Sequence, residues 1–242
     1  SHSHFQGGRY VFPMQKAAVR TKLANPRYPG VQAGILNWPV SAVRLIGRSS
    51  QQVQNAANDI MDAWRGWSDE SVDILAETDG TPHNTVTPIL HYDDELGYIL
   101  DIAPRNNRTT AQYPDGIFHP HKEYHNIKKE NIGLIEVMGL AILPARLKDQ
   151  GAAIADILSG KAPNTSREQG SPLAVHADWI DGLIAKYGTA LRPEKTEQAV
   201  RDEIGIVFSH VLENAGVFKS DEAGQAAFLR FLKAAGFTPA KK

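Results

Sequence analysis

The 242-residue chain has no cysteine, no excess of either charge and no long apolar run. Without cysteine there can be no disulfide, thiolate metal ligand or thiol nucleophile, so nucleophilic or soft-metal chemistry falls to the nine histidines. Twenty-six basic side chains stand against 27 acidic ones, a balance that argues against nucleic acid or an anionic membrane as the principal partner. No apolar stretch approaches the roughly 18 residues of a membrane span, so no membrane association is expected. The absence of cysteine fits a reducing compartment, and a cytoplasmic location is expected. Ser1 rather than methionine opens the chain and no basic-then-apolar leader follows. The expectation is therefore no signal peptide and a piece of a longer protein.

What is present reads as an α+β chain, an antiparallel sheet followed by a helical C-terminal tail. From Arg9 to Ser50 prolines and glycines punctuate an irregular, strand-rich stretch, with a strand expected over Ala42–Ile46. After Ser49 and Ser50, the spacing of Val53, Ala56, Ala57, Ile60, Met61 and Trp64 predicts a serine-capped amphipathic helix. Thr85–His91 and Tyr98–Ala103, bracketing a turn at Asp93–Gly97, predict a hairpin. The apolar run Ile132–Met138 reads as a central strand, with Glu136 inside it either facing solvent or binding something. Past Pro144 three helices are predicted: one capped at Ser171–Pro172 and ending at Gly188, one from Pro193 to Gly216, and one from Ser220 or Asp221 to Gly236. The expected division is a sheet region over 1–147 and a helical region over 148–242.

Two histidine groups carry potential chemistry. In an extended strand His2, His4 and Gln6 share one face. An imidazole there can attack phosphorus to give a phosphoramidate, while the glutamine amide donates to a phosphoryl oxygen. The other reading of Ser1–Gly8 is the remnant of an expression tag. In the second group, His119 and His121 alternate to one side with His125 nearby. Three imidazoles with Glu123 or a water could hold zinc. The same residues, with Lys128 and Lys129, could instead contact sugar-phosphate oxygens, or simply be solvated. Arg105, Asn106, Asn107 and Arg108 end the hairpin with groups suited to phosphates and sugar hydroxyls, or with a polar turn.

His2–Ser3–His4–Phe5–Gln6 resembles the His-x-His-x-Gln signature of the galactose-1-phosphate uridylyltransferase branch of the histidine-triad superfamily. The continuation Gly7–Met14 is similar to the second, bacterial class. Further matches fall at Asn37–Ser41, His83–Pro88 and Arg105–Asn107, and most specifically at Gly116–His121 and onward to Leu147. The similarity runs along essentially the whole chain, yet members of this class are roughly twice as long, so the amino-terminal half is absent. Serine separates the two histidines where the first class has proline, and the first class's zinc and iron ligands are not clearly reproduced.

The resemblance implies a histidine-triad-like sheet and a transferase of galactose metabolism working by ping-pong uridylyl transfer. His4 is the implied nucleophile, positioned by His2 and assisted by Gln6, with UDP-glucose and galactose 1-phosphate as substrates. Arg105, Asn107, His119, His121, His125, Lys128 and Glu136 are the candidates for lining the substrate pocket. The resemblance settles no cofactor and leaves zinc open, and a homodimer and the absent amino-terminal half are the expected protein partners. A nucleotide phosphorylase or hydrolase on the same fold, and a half that is silent without its partner, are the competing readings. His91 and His210 are expected to be structural or surface residues, and His176, on the face of a tail helix, is expected to be replaceable by alanine with the rate nearly unchanged.

Overall fold

A computed structural model describes residues 6–240, which form two compact units. The first comprises residues up to Phe118, Ile132–Ala141 and the stretch from Ala215 onward; the second comprises His119–Asn131 and Ile142–Asn214. Neither unit is continuous in sequence.

In the first unit, strands β1 (Val19–Ala24), β2 (Val31–Leu36) and β3 (Val43–Gly47) precede helix α1 (Ser50–Arg65). A two-stranded ribbon, β4 (Glu77–Thr78) and β5 (Thr81–Pro82), leads into the long hairpin β6 (Asn84–Asp93) and β7 (Gly97–Asn106). The main sheet has six antiparallel strands, in the order β6-β7-β3-β2-β1 followed by a short last strand, Thr238–Pro239, which takes the label β8. Alternation puts Val31, Ala33, Ile35, Val43, Leu45 and Ile102 on one face, where they meet Ile60 and Trp64 of α1 in a single buried cluster. Trp64 sits edge-on to Phe218 and Phe231, and its indole N–H donates to Thr85 O at 2.8 Å, tying the helix to the hairpin. Ser49 caps α1 as its sequence predicts, accepting from the Gln52 N–H. Gly97 closes the hairpin at φ +90°, where a side chain would also strike Gly47 O.

The run Ile132–Met138 is not a strand. It enters as loop and turns into a single helical turn, α2 (Leu134–Val137), with Glu136 buried and its Oε2 accepting the Gly133 N–H at 2.9 Å. Short apolar runs do not distinguish strand from buried helix. Here Glu136 completes the helix start by accepting the Gly133 N–H, which a strand would have left for a neighbouring strand. Gly139 has φ +95° and lies against the Trp38 ring, while Trp38 Nε1 donates to Val137 O.

The second unit holds three helices: α3 (Arg146–Leu158), α4 (Ala177–Tyr187) and α5 (Pro193–Ala215). Ile154, Ile157, Leu158, Ile180, Leu183 and Val200 form its core. The start expected at Ser171 is displaced: the Ser171 hydroxyl accepts the Leu173 N–H in a local turn, a 3-10 turn follows at Ala174–His176, and α4 begins only at Ala177. Gly188 ends it as expected. The last helix, α6 (Glu222–Ala234), is capped by Asp221 and returns to the first unit, placing Phe228 and Phe231 in the sheet's core.

Candidate functional site

The sheet face opposite α1 carries the charged groups. Register pairs Arg44 with Asp101, His91 with Ile99 and Thr85 with Arg105, all on this face. Arg44 and Asp101 form a buried two-pronged pair, Nε to Oδ1 and Nη2 to Oδ2 both at 2.7 Å. The remaining guanidinium N–H groups donate to the carbonyls of Met14, Gln15 and Ala17 at 3.0, 3.1 and 3.2 Å. Arg44 thus pins the turn Pro13–Lys16, which follows Gln6–Val11, onto this face. His2 and His4 lie outside the described residues, and Gln6 is exposed.

Arg105 has a different environment. Its Nη2 donates to Ile132 O at 3.2 Å, and among the described residues no carboxylate pairs with it. Burial pushes its guanidinium below the usual arginine value, although it stays cationic. Asn107 is engaged with the chain itself, its Oδ1 lying 2.8 Å from His83 Nδ1, while His83 Nε2 lies 2.9 Å from Thr78 Oγ1. Asn106 donates to Leu75 O and Asn84 Oδ1, so the Asn106–Asn107 pair organises loops around the hairpin's open end.

In the second unit the histidine loop is held by its own backbone. His119 Nδ1 lies 3.1 Å from Pro120 O, and His125 Nε2 lies 2.9 Å from the same carbonyl. The His121 ring is 3.9 Å from Glu123, and the His121 backbone N–H donates to Asn214 Oδ1. Lys128 is buried, donating to Ile142 O at 3.2 Å with Glu130 at 3.5 Å. Among the described residues no group of three or more His, Asp or Glu side chains is arranged for a metal ion. The zinc reading of His119, His121 and His125 is thereby corrected: two of the three rings turn to one carbonyl rather than to a common centre.

A network that the sequence does not announce surrounds His176. Far from lying on an open helix face, His176 is fully buried. Asn126 Nδ2 lies 3.3 Å from its Nδ1, and its Nε2 lies 3.0 Å from Gln150 Oε1. Arg146 donates to Gln150 Oε1 and Asn126 O, closing the ring of contacts. Burial, reinforced by the Arg146 charge, lowers His176 to about 4. In the neutral Nε2–H form Nδ1 accepts from Asn126 and Nε2 donates to Gln150, with the Arg146 guanidinium a further neighbour at 3.4 Å from Nε2. The result is a rigid anchor for Asn126, the residue after His125.

Comparison with known proteins places this arrangement in a class. Residues 2–176 match the family model described as galactose-1-phosphate uridyl transferase, C-terminal domain. The chain belongs to the galactose-1-phosphate uridylyltransferase family. It is 50% identical over 242 residues to a protein of Caldanaerobacter subterraneus subsp. tengcongensis named galactose-1-phosphate uridylyltransferase, covering 98% of this chain and 47% of that one. Proteins of the same name from Streptococcus pneumoniae (strain Hungary19A-6) and Lacticaseibacillus casei (strain BL23) are 46% and 48% identical, over 98% and 97% of this chain and 47% and 46% of theirs. The chain spans about half the length of these curated relatives. No solved structure matches it. Among the described residues no helix is long and apolar enough to cross a membrane.

Proposed function

We propose that the chain is the carboxy-terminal half of a UDP-glucose–hexose-1-phosphate uridylyltransferase and supplies its nucleophile. In this reading a ring nitrogen of His4 attacks the α-phosphorus of UDP-glucose, the phosphoanhydride bond breaks, and glucose 1-phosphate leaves with the bond's electron pair. The phosphate oxygen of galactose 1-phosphate then attacks the same phosphorus, the P–N bond breaks, and UDP-galactose leaves with His4 restored. Gln6 donates to the phosphoryl oxygens and His2 positions the nucleophile. Because leaving group and acceptor are near-identical sugar phosphates, one anion pocket serves both half-reactions. Arg105 is the foremost candidate for it, with Asn107, His119, His121, His125, Lys128 and Glu136 as further candidates. The amino-terminal half of the parent enzyme is the required protein partner.

The observation that carries this reading is likeness along 98% of the chain to relatives bearing that name. Arg105 adds physical support, since a desolvated guanidinium without a carboxylate is suited to an incoming phosphate. The test combines the chain with the amino-terminal half of the Caldanaerobacter relative and supplies glucose-labelled UDP-glucose with galactose 1-phosphate. Labelled glucose 1-phosphate and UDP-galactose should form together, and His4→Ala should abolish both. Formation of UMP in place of UDP-galactose, or turnover by the His4→Ala protein, would contradict the proposal.

A further inference from the structure

The histidine loop, residues 119–131, is attached within the second unit in three ways. The His121 backbone N–H donates to Asn214 Oδ1 on α5. Ile127 is fully buried with Leu147 of α3 and Val207 of α5. Between them in sequence lies Asn126, which is gripped at both main chain and side chain. Its carbonyl accepts from Arg146 Nη2 at 3.0 Å, and its amide nitrogen lies 3.3 Å from His176 Nδ1.

Hydrogen-bond polarity runs through this grip in one direction. Gln150 Nε2 donates to Pro172 O at 2.7 Å, and a carbonyl can only accept, so Gln150 turns its Oε1 towards the imidazole as an acceptor. Arg146 Nη1 donates to the same Oε1 at 2.9 Å and reinforces that orientation. The His176 ring must then carry its proton on Nε2, which leaves Nδ1 to accept from the Asn126 amide. Burial keeps the ring neutral near pH 7, so this single tautomer persists.

The order passes on to the rings of the loop. Asn126 follows His125, whose Nε2 lies 2.9 Å from Pro120 O, and His119 Nδ1 lies 3.1 Å from the same carbonyl. Both of those nitrogens carry protons, and in the neutral rings His119 Nε2 and His125 Nδ1 are left as acceptors.

We infer that His176 is a positioning residue for the transfer reaction: through Asn126 it sets the seat of the histidine loop, and with it the placement of the His119 and His125 rings against the hexose 1-phosphate. His176 itself touches no substrate in this role. The inference rests on the loop lining the substrate pocket, as proposed above. His176→Ala is then expected to impair transfer, the opposite of what its place in the sequence suggests.

Asparagine and glutamine separate the two bonds of the ring. An asparagine amide reaches the place of Nδ1 and keeps the bond to Asn126, whereas a glutamine amide reaches the place of Nε2 and keeps only the bond to Gln150. The test measures galactose 1-phosphate kinetics with the chain combined with the amino-terminal half of the Caldanaerobacter relative, and amide hydrogen exchange in the 242-residue chain. His176→Ala and His176→Gln should raise the KM for galactose 1-phosphate about tenfold with kcat changed less than about twofold, and His176→Asn should restore the wild-type KM. Adding Asn126→Ala to His176→Gln should cost nothing more, since both act through one bond. The Ile127 and Lys128 N–H groups, bonded to Tyr124 O, should exchange about tenfold faster in the His176→Gln chain and at the wild-type rate in the His176→Asn chain. Equal KM values for His176→Gln and His176→Asn, an unchanged KM in His176→Ala, or additive losses with Asn126→Ala would each overturn the inference. If the wild-type pair transfers no uridylyl group, the transferase reading fails, and the exchange comparison alone decides whether His176 seats the loop.

Discussion

Two arginines on the same face of one sheet have opposite surroundings. At the centre of the sheet Arg44 is matched by Asp101 and by three backbone carbonyls, so nearly every donor is used and no anion is wanted. At the end of β7, half-buried Arg105 has, among the described residues, one carbonyl and no carboxylate. The first arrangement holds the polypeptide, and the second leaves a charge ready for something that the protein does not itself provide. Burial of a cation therefore does not identify a site; what it is paired with does.

Substituting each arginine or its surroundings breaks the comparison in a measurable way. The largest effect is expected at Asp101→Ala, which strands Arg44 in the sheet and should cost about 4 kcal/mol of stability in denaturant unfolding. A loss under 1 kcal/mol would mean that the pair does not clamp the Pro13–Lys16 turn. The second unit has its own buried base, and there the expected effect depends on pH. With His176 lowered from 6.5 to about 4, the unfolded chain binds more protons across that window. The contribution of His176 is therefore full above pH 6.5 and falls as pH drops towards 4, by about 3 kcal/mol in all. The stability difference between wild type and His176→Gln should shrink by that amount between pH 7 and 4; a constant difference would refute it. The smallest effect is expected at Arg105→Met, which should lower transfer by about 2 kcal/mol, roughly thirtyfold in kcat/KM, with stability unchanged or slightly raised. Destabilisation comparable with Asp101→Ala would make Arg105 a structural residue like Arg44.

Much of the fold was legible wherever a local signal coincided with the tertiary outcome. Ser49 and Asp221 cap α1 and α6, Pro193 opens α5, and Asp93–Gly97 turns the hairpin, each through chemistry contained in a few neighbouring residues. The expected strand over Ala42–Ile46 lies one residue from the observed Val43–Gly47. Two features escaped. Helix α3 went unread although Leu147, Ile154 and Leu158 keep helical spacing and Gly160 follows at φ +74°, because Gly151 and the paired alanines dilute the pattern. Ile132–Met138 was read with the wrong period, since a buried turn and a buried strand are equally apolar.

The candidate site was legible as residue types but not as pairings. Arg105 and Arg44 look alike in sequence, and only the sheet register reveals that one faces Asp101. Asn107 reads as a sugar ligand until His83 is found against it. His176 carries no local signal, because its partners lie 26 and 50 residues away.

The account stands or falls on covalent chemistry at the amino-terminal motif. After incubation with UDP-glucose in the presence of the amino-terminal half, the tryptic peptide ending at Arg9 should gain one uridylyl group, about 306 Da, carried on His4 and discharged by galactose 1-phosphate. An unmodified peptide in a preparation that is turning over, or a group attached at another residue, would contradict it.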